Sequence, residues 1–291
     1  MELLDGKKTS LEIQTELSEK VKLMVGNRIT PPHLVAVLVG DDGASKTYVN
    51  AKVKACERIG FKSTLHHLGS ETSEKELLKL IKRLNEDDSV DGFIVQLPLP
   101  VHMDDHKITL AISPKKDVDG FHPENVGKMA LGLPTFLPAT PNGVMELLKR
   151  YKIPTEGKNT VVIGRSSIVG TPMSILMSRK SNPGNSTVTL AHSRTKNLEQ
   201  ICKQADILIV AIGIPEFVTS NMVKPNAVVI DVGIHRIEDS SKKNGFRLIG
   251  DVNFSEVSQK CSYITPVPGG VGPMTIASLL MNTYIASNER N

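Results

Sequence analysis

Strand-length apolar runs recur along the 291-residue chain, at 33–40 (HLVAVLVG), 90–97 (VDGFIVQL), 160–165 (TVVIGR), 186–191 (STVTLA), 206–213 (DILIVAIG) and 227–233 (AVVIDVG). Val- and Ile-rich runs without polar alternation read as strands buried on both faces, and such strands belong to parallel sheets covered by helices. Amphipathic stretches of helical length lie between several of them, at 45–59, 73–85, 142–151 and 172–180. The expected class is α/β with right-handed crossovers. The length is about twice that of a common domain, so two domains are expected. The segment 113–141, dense in Pro, Gly and Asp, reads as the connection between two α/β units. The stretch 238–247 reads as an exposed hairpin or loop, and a last apolar helix is expected over 274–287, after the PVPGGVGP loop.

Charge and composition exclude several classes. Thirty-five Lys and Arg against 31 Asp and Glu leave a net charge of +4, dispersed and without a long run of like sign. That pattern argues against nucleic-acid and anionic-membrane partners. The absence of Trp and the presence of only four Tyr leave few platforms for base stacking. No stretch approaches the roughly 18 uninterrupted apolar residues of a spanning helix. Cys56, Cys202 and Cys261 are far apart and form no C-x-x-C, which suggests neither a disulfide framework nor a zinc ribbon. The first residues carry neither a secretory nor a transit pattern, so a reduced, cytoplasmic protein is expected. No metal is expected either: His66–His67 and His102-Met-Asp-Asp-His106 lack further ligands.

The run at 160–177 (TVVIGRSSIVGTPMSILM) is a strand, a Gly-bearing turn and a helix start. Gly164 ends the strand, Gly170 opens the helix and Pro172 suits its first turn. A pyrophosphate at such a helix start meets unpaired N–H groups and the positive dipole end. The spacing departs from G-x-G-x-x-G, with Ser166 in the middle position, and a plain βα turn is the alternative. The next strand ends at Ala191 and leads into His192-Ser193-Arg194-Thr195, with no acid for a ribose hydroxyl. Arg165, Arg194 and Ser193 suit a ribose phosphate, which favours NADP over NAD.

Tyr48 and Lys52 stand four residues apart on the helix expected after the first long strand, hence on one face. A lysine desolvated beside an aromatic ring has a lowered pKa and can act as acid or base. A surface lysine resting its stem on the ring is the alternative. Short-chain dehydrogenases also carry Tyr-x-x-x-Lys, but after the nucleotide turn; here the pair precedes it by more than a hundred residues. Gln96 closes an apolar strand before Leu97-Pro98-Leu99-Pro100, at the carboxyl end where α/β sheets bind ligands. Asp117 and Asp119 sit in the turn DVDG, which by itself is satisfied by turn formation.

Taken together, YVNAK (48–52), VDGFIVQLPLP (90–100), PKKDVDGFHPENVG (114–127), PATPNGV (138–144), GRSSIVGTP (164–172), HSRTKNL (192–198), VIDVGI (229–234), GDV (250–252) and ITPVPGGVGPMT (264–275) fall in one order. The chain thereby resembles the bifunctional methylenetetrahydrofolate dehydrogenase/methenyltetrahydrofolate cyclohydrolases over nearly its whole length. The resemblance implies two α/β domains flanking a folate cleft: a folate-binding catalytic domain (1–138 plus 274–291) and a Rossmann-like NADP-binding domain with a parallel sheet (139–273). It implies NADP-dependent oxidation of 5,10-methylenetetrahydrofolate, hydrolysis of the methenyl product to 10-formyltetrahydrofolate, and a homodimer. It makes Lys52 the general acid/base, Tyr48 the residue packing on and orienting the folate, Gln96 the partner tuning Lys52, and Asp119 the grip on the pterin. Gly164, Arg165, Ser166, Ser193 and Ile234 would line the NADP site, while Pro268, Gly269, Gly272 and Thr275 would wall the folate. Ala139 and Ala191 stand where the family often has Cys, and neither is a catalytic candidate. A dehydrogenase without hydrolase activity and a catalytically silent NADP-binding module are the rival readings; the retention of Tyr48, Lys52, Gln96 and Asp119 speaks against both.

Overall fold

A computed structural model describes residues 1–242 and 245–290. The first half of the chain gives β1 (Glu2–Leu3), α1 (Gly6–Gly26), β2 (His33–Val39), α2 (Gly43–Ile59), β3 (Lys62–Leu68), α3 (Glu74–Glu86), β4 (Gly92–Val95), α4 (Asp105–Ala111), α5 (Pro123–Leu131) and α6 (Ala139–Arg150). The second half gives β5 (Asn159–Ile163), α7 (Gly170–Ser178), β6 (Thr187–Ala191), α8 (Leu198–Cys202), β7 (Ile207–Val210), β8 (Val228–Asp231), β9 (His235–Glu238), β10 (Phe246–Ile249), α9 (Phe254–Val257), β11 (Tyr263–Ile264) and α10 (Val271–Arg290). The chain divides into two compact units. One joins Met1–Ser10 to Thr140–Thr275, and the other joins Leu11–Ala139 to Ile276–Asn291.

The unit built on residues 11–139 and 276–291 carries a parallel sheet in the order β3-β2-β4. Every residue of central β2 is buried, as an uninterrupted apolar run requires. Val35, Val37, Phe93 and Val95 pack there against Leu77, Ile81 and Leu84 of α3. A capping box at Ser73, reciprocated by Glu76, starts α3 and is worth about 1 kcal/mol.

The other unit holds six parallel strands in the order β1-β11-β8-β7-β5-β6. Val161, Ile163, Leu208, Val210, Val229 and Ile264 fill its core. β6 and β7 flank β5 on opposite sides. The strand order therefore reverses at β5 and β7, the point where open α/β sheets receive their ligands.

The six expected strands are present with ends shifted by up to three residues, and the four expected helices become α2, α3, α6 and α7. The segment 113–141 is less irregular than its composition suggests. It contains α5, started by Pro123 in its first turn and ended by left-handed Gly132, and a parallel bridge joins Phe93 of β4 to Asp117. The stretch 238–247 falls in the β9–β10 hairpin, with Lys243 and Asn244 outside the described residues. α10 is longer than the 274–287 expected and starts at Val271. The three cysteines are buried and free. Among the described residues no helix is long and apolar enough to cross a membrane.

Candidate active site

The α2 face supplies the first constellation. Asp42 caps this helix by accepting from Ser45 N (2.7 Å), and Gly60 ends it in the left-handed conformation. Helical spacing puts Tyr48, Lys52 and Cys56 on one side. Lys52 is only 4% exposed. Its Nζ donates to Gln96 Oε1 (3.1 Å) and lies 5.2 Å from the centroid of the Tyr48 ring. Gln96 is held in turn. Its backbone N donates to Val37 O (2.9 Å), extending the sheet one residue past β4, and its Nε2 donates to Leu97 O (2.6 Å). With the amide nitrogen so engaged, the amide oxygen is the atom left to face Lys52.

Asp119 approaches from the turn that follows the bridge to β4. Asp117 shapes that turn: its buried carboxylate accepts from Gly120 N (3.2 Å), His122 N (2.7 Å) and Asn125 Nδ2 (2.8 Å). Burial nonetheless pushes the Asp117 carboxyl up to about 6. Asn282 of α10 donates to Val118 O (2.8 Å) and Leu137 O (2.9 Å), and Ala139 N donates to Asp119 O (3.1 Å). The backbone carrying Asp119 is thus anchored on both sides. Beside it lies an apolar recess lined by Phe93, Val95, Ile108, Ile112 and Phe121.

Electrostatics follow from this burial. Desolvation lowers the pKa of Lys52, opposed by the attraction of Asp119. Desolvation also raises Asp119, opposed by Lys52. Burial pushes the Cys56 thiol up to about 12, and of the two groups that oppose the desolvation of Lys52 Asp119 is the larger. An amine made easier to deprotonate and held beside a carboxyl can both take and return a proton.

The second constellation lies at the carboxyl ends of β5, β6 and β8. Ile163 of β5 pairs with Ala191 of β6, so the turns bearing Arg165–Ser166 and Ser193–Arg194 leave adjacent strands at one level. Gly164 has φ +115°, and a Cβ there would meet Ala211 O at 2.0 Å, so only glycine fits between β5 and β7. Ser166 Oγ accepts from Val169 N (3.2 Å) and Gly170 N (3.3 Å), shaping the turn into α7. His192 Nδ1 accepts from Arg194 N (3.2 Å), and Thr195 Oγ1 accepts from His192 N (2.9 Å). The side chains of Arg165, Ser166, Ser193, Arg194 and Ile234 are exposed. Two guanidinium groups and two hydroxyls on adjacent strand ends, with no acidic residue in either turn, match a dinucleotide bearing a ribose phosphate.

Tyr48, Lys52, Gln96 and Asp119 belong to one unit; Pro268, Gly269, Gly272 and Thr275 belong to the other. Thr275 is buried with its Oγ1 3.0 Å from Thr140 Oγ1, and Gly269 O accepts from Lys7 N (2.8 Å). His102 Nε2 lies 2.9 Å from Thr72 O and His67 Nε2 2.9 Å from Gly40 O, so both imidazoles serve loop contacts. The buried groups Asn282, Asp231 and Asp251 escape a reading of the sequence by spacing. Each lies in an otherwise apolar or turn-forming stretch, and its partners are tens of residues away.

Residues 4–119 match the family model described as tetrahydrofolate dehydrogenase/cyclohydrolase, catalytic domain, and residues 138–291 match that family's NAD(P)-binding domain. A protein of Cytophaga hutchinsonii called bifunctional protein FolD is 64% identical over 99% of this chain and 99% of its own. The crystal structure of the bifunctional FolD methylenetetrahydrofolate dehydrogenase/cyclohydrolase of Campylobacter jejuni superposes with a TM-score of 0.93 at 50% identity, covering all of both chains. That of the Trypanosoma brucei dehydrogenase-cyclohydrolase, complexed with NADP cofactor and inhibitor, gives 0.92 at 37% identity, over 98% of this chain and 96% of that one. Matched in both parts and along its whole length, the chain belongs to the tetrahydrofolate dehydrogenase/cyclohydrolase family.

Proposed function

We propose that Lys52, Tyr48, Gln96 and Asp119 form the folate-handling centre of this chain, and that Gly164, Arg165, Ser166, Ser193 and Ile234 hold its dinucleotide. The chain oxidises 5,10-methylenetetrahydrofolate to the 5,10-methenyl form with NADP and hydrolyses that product to 10-formyltetrahydrofolate. The observation that carries the reading is the buried Lys52 amine held between the Gln96 amide and the Tyr48 ring, in the field of Asp119.

The oxidation needs orientation more than a base. The lone pair of a neighbouring nitrogen expels hydride from the methylene carbon and leaves a delocalised cation. The exposed Arg165 and Ser193 would hold the ribose phosphate of the dinucleotide, which when bound would supply the hydride acceptor. Tyr48 packs on the folate, and Asp119 accepts hydrogen bonds from the pterin edge. Hydrolysis then requires proton transfer. Water attacks the methenyl carbon and gives one proton to neutral Lys52; the ring C–N bond then breaks as the adduct hydroxyl forms the formyl carbonyl and releases its proton to solvent, and Lys52 returns its own proton to the departing nitrogen. Gln96 Oε1 keeps the amine aimed through both transfers. Pro268, Gly269, Gly272 and Thr275 contribute further folate contacts.

We assign the folate-binding role to residues 1–138 and 274–291 and the NADP-binding role to 139–273. The chain works in the cytoplasm as a homodimer, which sedimentation at micromolar concentration tests; a clean monomer refutes it. The activity is tested by mixing protein, methylenetetrahydrofolate and NADP, then following nicotinamide reduction and methenyl accumulation together. Reduction without accumulation is expected. Reduction with accumulation would leave only a dehydrogenase, and no reduction would leave a binding module.

A further inference from the structure

Asp251 is fully buried, at 0% exposure, yet none of its carboxylate bonds belongs to a sheet ladder. Oδ2 accepts from Ile212 N (2.8 Å) and Gly213 N (3.0 Å), and Oδ1 accepts from His235 Nε2 (2.7 Å). The first two donors lie in the turn leaving β7, next to the Ala211 carbonyl against which the Gly164 turn is packed. The third opens β9, one residue after exposed Ile234 in the segment leaving β8. One buried carboxyl group therefore holds both the segment leaving β7 and the segment leaving β8.

The segment bearing Asp251 is itself fixed. Asp231, the last residue of β8, accepts from Asp251 N (2.9 Å), Val252 N (2.9 Å) and Gly233 N (3.0 Å). The fit leaves no slack: a Cβ on residue 233 would sit 2.3 Å from Asp251 Oδ1. Parallel strands stop pairing at their carboxyl ends, so the next residues have no ladder to set their path. Here carboxylates replace the ladder as acceptors for those N–H groups.

We propose that Asp251 is the positioning residue of the dinucleotide site, setting the turn after β7 directly and the Ile234 segment through His235. It touches no cofactor; it acts through the backbone it holds. The proposal rests on reading this end of the sheet as the NADP site.

The test uses the full chain and compares Asp251→Ala, Asp251→Asn and His235→Ala. NADP affinity is read by titration calorimetry, and both activities are assayed. Hydrolysis of methenyltetrahydrofolate consumes no dinucleotide, so it reports on everything except that site. Asp251→Ala is expected to raise the Kd and KM for NADP at least tenfold while cyclohydrolase turnover falls less than threefold. Asp251→Asn, whose amide oxygen still accepts from Ile212 and Gly213, should restore most of the affinity. His235→Ala should weaken NADP several-fold with cyclohydrolase activity retained. Unaltered NADP affinity in Asp251→Ala overturns the proposal, as does a parallel fall of both activities. Should Asp251→Ala fail to fold, unaltered affinity in His235→Ala overturns it equally. A parent chain that binds no NADP overturns the reading underneath, whereas tight binding by the parent with unaffected variants overturns this proposal alone.

Discussion

Replacing Lys52 by Met removes the ammonium while keeping a flexible side chain of similar length in the same buried slot. Two consequences can be sized. General acid–base groups contribute about 10²–10⁴ in rate, or about 3–5 kcal/mol of barrier, and cyclohydrolase turnover should fall by that factor. The oxidation asks no proton of Lys52, so dehydrogenase turnover should fall about tenfold or less, reflecting poorer folate orientation. On the stability side, Gln96 Oε1 loses the donor at 3.1 Å, a cost of about 1–3 kcal/mol if no water replaces it. Relief from burying a charge offsets part of that cost, so the melting temperature should move by only a few degrees. Lys52→Arg is the decisive companion, because its guanidinium keeps the charge but does not deprotonate. It should lose hydrolysis as completely as Met does. The assay follows decay of methenyltetrahydrofolate without dinucleotide, beside NADP reduction by methylenetetrahydrofolate, with calorimetry on each variant. Equal loss of both activities in a folded Lys52→Met chain, or hydrolysis surviving in Lys52→Arg, refutes the role given to Lys52.

Arg165→Ala and Ser193→Ala should each raise KM for NADP about tenfold to a hundredfold, the worth of a charge-assisted hydrogen bond. KM for NAD should barely move, and an unchanged preference counts against the phosphate site. Gly164→Ala combines φ +115° with a Cβ placed 2.0 Å from Ala211 O, and should cost about 2–5 kcal/mol from strain and overpacking; a melting temperature equal to the parent's contradicts that packing. Burial raises the Asp231 carboxyl to about 7, above the unfolded value of about 3.9. Between those values the folded chain binds more protons than the unfolded one, so this group's contribution to stability falls as pH rises from about 4 to about 7. The urea midpoint of Asp231→Asn, which does not titrate, should therefore gain on the parent's between pH ~5 and ~7.5; a gap that moves the other way is inconsistent with the shift.

The parallel sheets were legible because Val35, Val37, Ile209 and Val229 sit in runs that only burial on both faces explains. β3 was not, since KSTLHHL lies on the sheet's edge with Lys62, Leu65 and His67 exposed and never forms an apolar run. α5 was hidden by the same Pro and Gly that define it, because Pro123 at its start and Gly132 at its end look in sequence like loop residues. At the site, Tyr48 and Lys52 could be paired by helical spacing, but the contact to Gln96 spans 44 residues and follows from two strands meeting. Asp119 is ambiguous in sequence because the turn before it satisfies an Asp equally well. Its neighbour Asp117 is the one that does turn-forming work, and that division of labour emerges only from the hydrogen bonds. Asp251 and Asn282 lay beyond reach for a related reason: each is one polar residue whose partners are set by tertiary packing.

The pairing of β1 with β11 also bears on the order of events during synthesis. Glu2 finds its partner in Tyr263, 261 residues further on. At elongation rates of about 5–20 residues per second, the first strand waits roughly 13–50 s for its neighbour to be made. The apolar face of α1, with Ile13, Leu17, Val21 and Met24, does not share that wait, because residues from Leu11 onward belong to the unit built mainly on Leu11–Ala139. The six-stranded sheet thus cannot close before β11 is made, and β1 is among the last of its strands to be locked in place.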